Sequence, residues 1–143
     1  MGERVASDSV HDNYVYAYTV DCEGHRVTLH TEYRDREPHM FTDVVFRQVV
    51  AHFLEHSLPQ NILFDVEEGD LEMFLKDNAD LFATSWKWAW PPIEFGGDPI
   101  RLLHVLRTSA TRVFFISSSL GLSGWVLSAS CHRVSRDQRI RLE

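Results

Sequence analysis

An α+β fold, with an antiparallel sheet of about six strands and two helices packed on it, follows from the order of elements: strands, then helices, then strands. Three observations predict it. Residues 26–33 alternate between apolar and polar side chains, as a half-wet antiparallel strand does. Asp98-Pro99 is a strong helix start, an N-cap followed by proline at the first helical position. Val113–Ser119 and Trp125–Ser130 are two strand-like runs on either side of the reversal Leu120-Gly121-Leu122-Ser123-Gly124.

Residues 1–12 are polar and without periodicity, so a disordered tail is expected there, followed by a single domain over 13–141. Tyr14, Tyr16, Tyr18 and Val20 fall on one face of the first strand. Asp21-Cys22-Glu23-Gly24 makes a turn. In the next strand Val27, Leu29, Thr31 and Tyr33 point one way, while Arg26, Thr28, His30 and Glu32 point to a wet face. The loop Arg34–His39 is charged and holds Pro38.

The run from Phe41 to Glu55 admits two readings. Phe41, Val44, Val45, Val49, His52 and Phe53 fit helical spacing, with Thr42 as a cap. Its four β-branched valines favour a pleated surface, and the Ser57–Asn61 breaker leads straight into Ile62, Phe64 and Val66, which alternate. Extended chain is therefore the expectation over 42–55.

After Gly69, Asp70 caps a helix carrying Leu71, Phe74, Leu75 and Phe82. Trp86-Lys87-Trp88-Ala89-Trp90-Pro91-Pro92 ends regular structure. The helix from Pro99 has Ile100, Leu103 and Leu106 as its expected buried stripe, widened by Leu102 and Val105, and a final strand is expected over Cys131–Arg136. Leu142-Glu143 reads as a cloning remnant.

At 143 residues, 44% apolar and 24% charged, the chain has the composition of one globular domain. Cys22 and Cys131 supply neither a disulfide framework nor a CxxC zinc pair, which fits a reduced compartment. No secretory leader is visible, and no apolar run nears the roughly 18–20 residues that span a bilayer. A soluble cytoplasmic protein is the expectation. The net charge of −7 is uneven: residues 65–80 hold seven carboxylates against Lys76, and Arg133, Arg136, Arg139 and Arg141 crowd the end. An acidic body disfavours nucleic acid and suits a basic protein partner, although such charge often serves only solubility.

The sharpest catalytic match is His52-Phe53-Leu54-Glu55-His56, the HxxEH pattern in which two histidines share zinc and the glutamate activates water. That chemistry needs a helix, because on a strand His52 and His56 would stand about 13 Å apart. Ser117–Gly124 falls one residue short of a GxSxG nucleophile elbow and lacks the lysine of a P-loop, so a tight hairpin explains it. The acidic run does not fit the EF-hand spacing. Trp86, Trp88 and Trp90 suit either core packing or an aromatic binding surface.

The combination of NILFDVEEGDLEMFL, the tryptophan-proline segment, a short helix and SSSLGLSGWVL resembles small bacterial proteins of unassigned function, some of them immunity proteins of polymorphic toxin systems. The resemblance covers about residues 25–130 and implies an acidic, non-catalytic binder that blocks a toxin, with no site residues to carry over. The leading expectation is thus a protein-binding module without cofactor. It would use Asp65, Glu67, Glu68, Asp70, Glu72, Trp86, Trp88 and Trp90 against a basic protein, with no nucleic acid or membrane involved. The alternatives are a small-molecule binder or minor enzyme with an aromatic pocket near Trp86–Trp90 served by His52 or Ser117–Ser119, and a zinc hydrolase built on His52, Glu55 and His56.

Overall fold

The computed structural model describes residues 9–142 in full and the backbone of Arg4–Val5. The strands are β1 (Arg4–Val5), β2 (Tyr14–Asp21), β3 (Arg26–Tyr33), β4 (Met40–Arg47), β5 (Ala51–Glu55), β6 (Asn61–Glu68), β7 (Arg112–Leu120), β8 (Ser123–Ser128) and β9 (Ser130–Arg136). The helices are α1 (Leu71–Asp77), α2 (Ala79–Ser85) and α3 (Pro99–Thr108), with a 3-10 turn at Trp86–Trp88. Among the described residues, the nine strands share one antiparallel sheet in the order β1-β9-β4-β3-β2-β6-β7-β8-β5.

The α+β class and the antiparallel sheet are as expected, but the counts are not. The sheet has eight long strands plus the two-residue β1, where about six were expected. The main reason is a bend: the run 41–55 is extended, yet it breaks at Gln48, which adopts a left-handed conformation (φ 54°). The helix expected from Leu71 to Phe82 is likewise two. Asn78 leaves helical geometry (φ −114°, ψ 23°) and its side chain bonds back to the Phe74 carbonyl at 2.9 Å. With α3 that makes three helices where two were expected.

The bend closes the sheet upon itself. β4 pairs with β9 and β5 with β8, as two halves of one ladder that turns at Gln48–Val50 on one side and Ala129 on the other. Val50 N–H donates to the Leu127 carbonyl (2.8 Å) and Ala129 N–H to the Arg47 carbonyl (3.1 Å), so hydrogen bonding persists through the corner. The opposite seam is looser, since β2 and β6 share only Tyr14↔Ile62 and Val15↔Asn61. Residues 9–13 fill the gap there: Asp12 N–H donates to the Leu63 carbonyl, Leu63 N–H to the Asn13 carbonyl, and Val10 is fully buried. Of the expected disordered tail, then, residues 9–12 are packed and Arg4–Val5 pairs with β9. Residues 1–3 and 6–8, and Glu143 of the terminal pair, lie outside the described residues.

Two apolar layers result. Val15, Val27, Leu29, Val44, Phe46, Phe114 and Val126 fill the inside of the curl. Val113, Trp125 and Leu127, which alternate with them along β7 and β8, meet Phe74, Phe82, Leu102 and Leu106 of the helices on the outer side. This is why β7 and β8 are apolar on both faces. In β6 the expected face of Ile62, Phe64 and Val66 is replaced by Leu63 and Val66, because the register shifts between Leu63 and Asp65 and leaves Phe64 in solvent. In α3 Leu102 and Leu106 are the buried stripe, and Ile100 is 79% exposed.

Trp125 anchors the outer layer, with ring centroids 4.8 Å from Phe74, 6.0 Å from Trp90, 6.2 Å from Phe82 and 6.3 Å from Phe53. Trp125→Ala should lower the free energy of unfolding by about 3–5 kcal/mol, the usual loss for a buried aromatic truncated to alanine. Denaturant titration checks this, and a loss under 1 kcal/mol would mean the helices dock elsewhere.

Candidate functional site

Asp70 and Asp98 set the ends of the helical layer. The Asp70 side chain accepts from Met73 N–H at 2.8 Å and that of Asp98 from Ile100 N–H at 3.0 Å, each satisfying an otherwise unpaired first-turn donor. Between α1 and α3 lies a cleft of about 490 Å³ lined by Leu75, Ala79, Pro99, Ile100 and Leu103, with Glu72 and Lys76 at its edge. Met73 (59% exposed), Ile100 and Trp88 (84% exposed) are large apolar side chains left in solvent on this layer. Asp77, Asp80 and Asp98 are exposed next in sequence to lining residues.

The carboxylates singled out from the sequence do not form one free patch. Asp65 lies 3.7 Å from Arg133, Glu68 is 3.2 Å from Arg112, and Glu72 reaches both Arg107 (3.3 Å) and Lys76 (3.8 Å). Most of these pairs are solvent-exposed and worth about 0–1 kcal/mol each, so they orient side chains more than they hold the fold. Asp70 is occupied as a cap, and Glu67 is exposed at the end of β6. The three tryptophans also part company. Trp90 stacks on Phe82 at 5.9 Å as core, Trp86 packs edge-on to Phe95 at 6.3 Å, and Trp88 alone is in solvent.

A second cleft of about 500 Å³, lined by Trp86, Pro92, Ile93 and Phe95 with Lys87 and Glu94, stands at the tryptophan segment. Neither His52 nor Ser117–Ser119 reaches it. His52 lines a different cleft beside Trp90 and Cys22, and its pKa is lowered by burial. Ser117, Ser118 and Ser119 donate to the carbonyls of Asp65, Leu122 and Ile62 as hairpin and ladder bonds. His52 and Glu55 belong to strand β5, and His56 follows it, so the helix turn required by HxxEH is not formed. Among the described residues no three His, Cys, Asp or Glu side chains are placed to hold a metal ion. Nor is any helix there long and apolar enough to cross a membrane.

The face of β3 expected to be wet is wet only in part: Arg26 is exposed and Thr28 half-buried, but His30 and Glu32 are covered. Glu32 is 5% exposed and accepts from Arg139 (Nη2 2.8 Å, Nε 3.1 Å), Arg34 (Nε 3.2 Å) and His39 (Nδ1 2.7 Å). Burial by itself would raise its pKa, but the donors from Arg139, His39 and Arg34 outweigh that and hold the carboxyl below its usual range. Beside it Asp43, 2% exposed, bonds His30 through Oδ1 and Arg136 through Oδ2, each at 3.0 Å. Two of the arginines near the end of the sequence, Arg136 and Arg139, are the cover: β9 is an inner strand between β1 and β4, and Arg139 also lies 4.4 Å over the Tyr16 ring. The available signal was two-sided, with titratable residues alternating along β3 and a surplus of arginines at the end of the chain.

Compared with known proteins, the chain matches no family model, no curated protein and no solved structure.

Glu32→Gln tests the covered face. A folded-state pKa held below the unfolded one stabilises the protein at neutral pH, and that contribution is lost as pH falls through the folded value. The variant should be less stable by roughly 1.5–3 kcal/mol at neutral pH, the range for hydrogen bonds to a charged group. The difference should begin to shrink below about pH 4, where Glu32 of the unfolded chain protonates, and close only once the lower-titrating folded carboxyl protonates too. Parallel denaturant titrations at the two pH values measure it, and a pH-independent gap would contradict this account.

Proposed function

We propose that the chain is a protein-binding module whose helical layer docks a basic partner. The observation that carries this reading is the apolar α1–α3 cleft with Glu72 in its lining, beside the exposed Ile100 and Met73, with the exposed Asp77, Asp80 and Asp98 each next in sequence to a lining residue. Apolar side chains entering a desolvated cleft hold a complex, and surrounding charges steer the encounter. Lys76 and Arg107 already sit on Glu72 and Asp98 is occupied as a cap, so a partner would bring its own cations to Asp77 and Asp80. The role fits the blocking of a toxin, which the resemblance to immunity proteins implies. It also moves the site: of the residues first singled out, Glu72 lies in it, Trp88 shares its layer, and Asp65, Glu67 and Glu68 fall on the sheet.

Two variants separate the contributions. Ile100→Asp should weaken a partner recovered with the wild-type chain by at least about 2 kcal/mol, as removal of an interface anchor does. Asp77→Lys with Asp80→Lys should slow association chiefly at low salt. Both sites are exposed, so both variants keep the fold. A partner bound equally by the wild type and both variants uses another surface, and the proposal then fails.

A further inference from the structure

On the opposite side of the sheet, three adjacent strands bring together a hydroxyl, an imidazole and a carboxylate. Asp43 on β4 stands directly across from His30 on β3, and their side chains bond at 3.0 Å. Across the other edge of β3, His30 faces Ala17 of β2, whose small side chain leaves the imidazole room to lean to the diagonal neighbour Thr19. His30 Nε2 lies 2.8 Å from Thr19 Oγ1. Arg136 Nε donates to the second oxygen of Asp43 at 3.0 Å, which fixes the carboxylate as an acceptor toward His30 Nδ1–H. The lone pair of Nε2 is thereby turned to the Thr19 hydroxyl.

Burial differs along this chain of bonds. His30 and Asp43 are 6% and 2% exposed, whereas Thr19 is exposed, at a groove of about 320 Å³ that Arg26, Arg47 and Val45 also line. A hydroxyl within reach of a base, and a base oriented by a buried third group, is the geometry of an activated nucleophile. Arg26 and Arg47 stand opposite each other across β3 and β4; Arg26 pairs with Asp21, 3.7 Å away and also lining the groove, and Arg47 brings a further positive charge there.

We propose that Thr19, His30 and Asp43 form a nucleophilic site that hydrolyses small carboxylic esters bearing a negative charge on the acyl part. Thr19 Oγ1 attacks the ester carbonyl carbon as His30 Nε2 takes the hydroxyl proton. The carbon–oxygen bond to the alcohol breaks, and His30 returns that proton to the departing oxygen. Water then attacks the acyl-threonine, passing a proton through His30 back to Thr19 Oγ1 and releasing the acid. Asp43 is a positioning residue that holds the tautomer, and Arg47 draws the anionic acyl group. This activity is separate from docking on the helices, and it departs from the non-catalytic chain expected from sequence.

The test treats the intact protein with a fluorophosphonate, whose phosphorus forms a bond to Thr19 Oγ1 as fluoride leaves, and maps the adduct by peptide mass. A parallel assay follows release of 4-nitrophenol from 4-nitrophenyl acetate and from the succinate half-ester. The expected result is an adduct on Thr19, absent in Thr19→Val, kept in Thr19→Ser and lost in His30→Gln. Ester hydrolysis should fall on the order of 10²–10⁴-fold without the base. The succinate ester should be preferred, and Arg47→Ala should abolish that preference. Thr19 is exposed, so the valine and serine variants decide the matter even where His30→Gln does not fold. Wild-type protein without an adduct on Thr19, or a folded His30→Gln that labels equally, overturns the site; equal rates on the two esters overturn the anionic substrate class.

Discussion

Because only three residues join β4 to β5, and one joins β8 to β9, the two ladders they form are a single bent one, and the rest of the fold hangs from that bend. One half of the ladder joins β3 and β2, the other joins β7 and β6, so the sheet must curl until its ends are neighbours. Curling creates an inside that residues such as Phe46, Leu29 and Val126 fill, and it turns the outer face of β7 and β8 toward the helices. Ala129 is the only residue between β8 and β9, and the Arg47 carbonyl takes its N–H, so the corner exposes no unsatisfied donor there.

The curl also divides the chemistry of the surface. On the β5–β7–β8 side the outer face is apolar and is covered by helices that keep an apolar cleft of their own. On the β2–β3–β4 side the outer face is charged and is closed by ion pairs from the last residues of the chain. Burying Glu32 and Asp43 is tolerable only because each carboxylate oxygen meets a donor, and a carboxylate left unpaired at that depth would cost several kcal/mol.

Much of the architecture was legible in local patterns. The alternation of 26–33, the caps Asp70 and Asp98, and the glycine reversal before Trp125 each reflect a physical preference within a few residues. The features that were not legible are non-local. Nothing in Arg47-Gln48-Val49 marks a corner, since no glycine or proline stands there. Gln48 takes a left-handed conformation because the ladder on both sides requires it. Alternation in β3 told which side faces the inner core but not whether another segment covers the other side. The partnership of Glu32 with Arg139 spans more than a hundred residues and leaves no periodic trace. The candidate cleft was hidden similarly: Ile100 sits at a helical spacing that suits burial, but α3 buries Leu102 and Leu106 and leaves it in solvent.

The bent ladder has a consequence for how the chain is made. Met40–Arg47 finds its partner in Ser130–Arg136, as with Asp43 and Arg136, 93 residues apart, so strands made early wait for a distant later segment to emerge. Until then Val27, Leu29, Val44 and Phe46 present an apolar trough with no lid. A nascent chain of this kind is exposed to misassociation during translation, and closure comes as a late, long-range step that should make folding slow for a domain of its size.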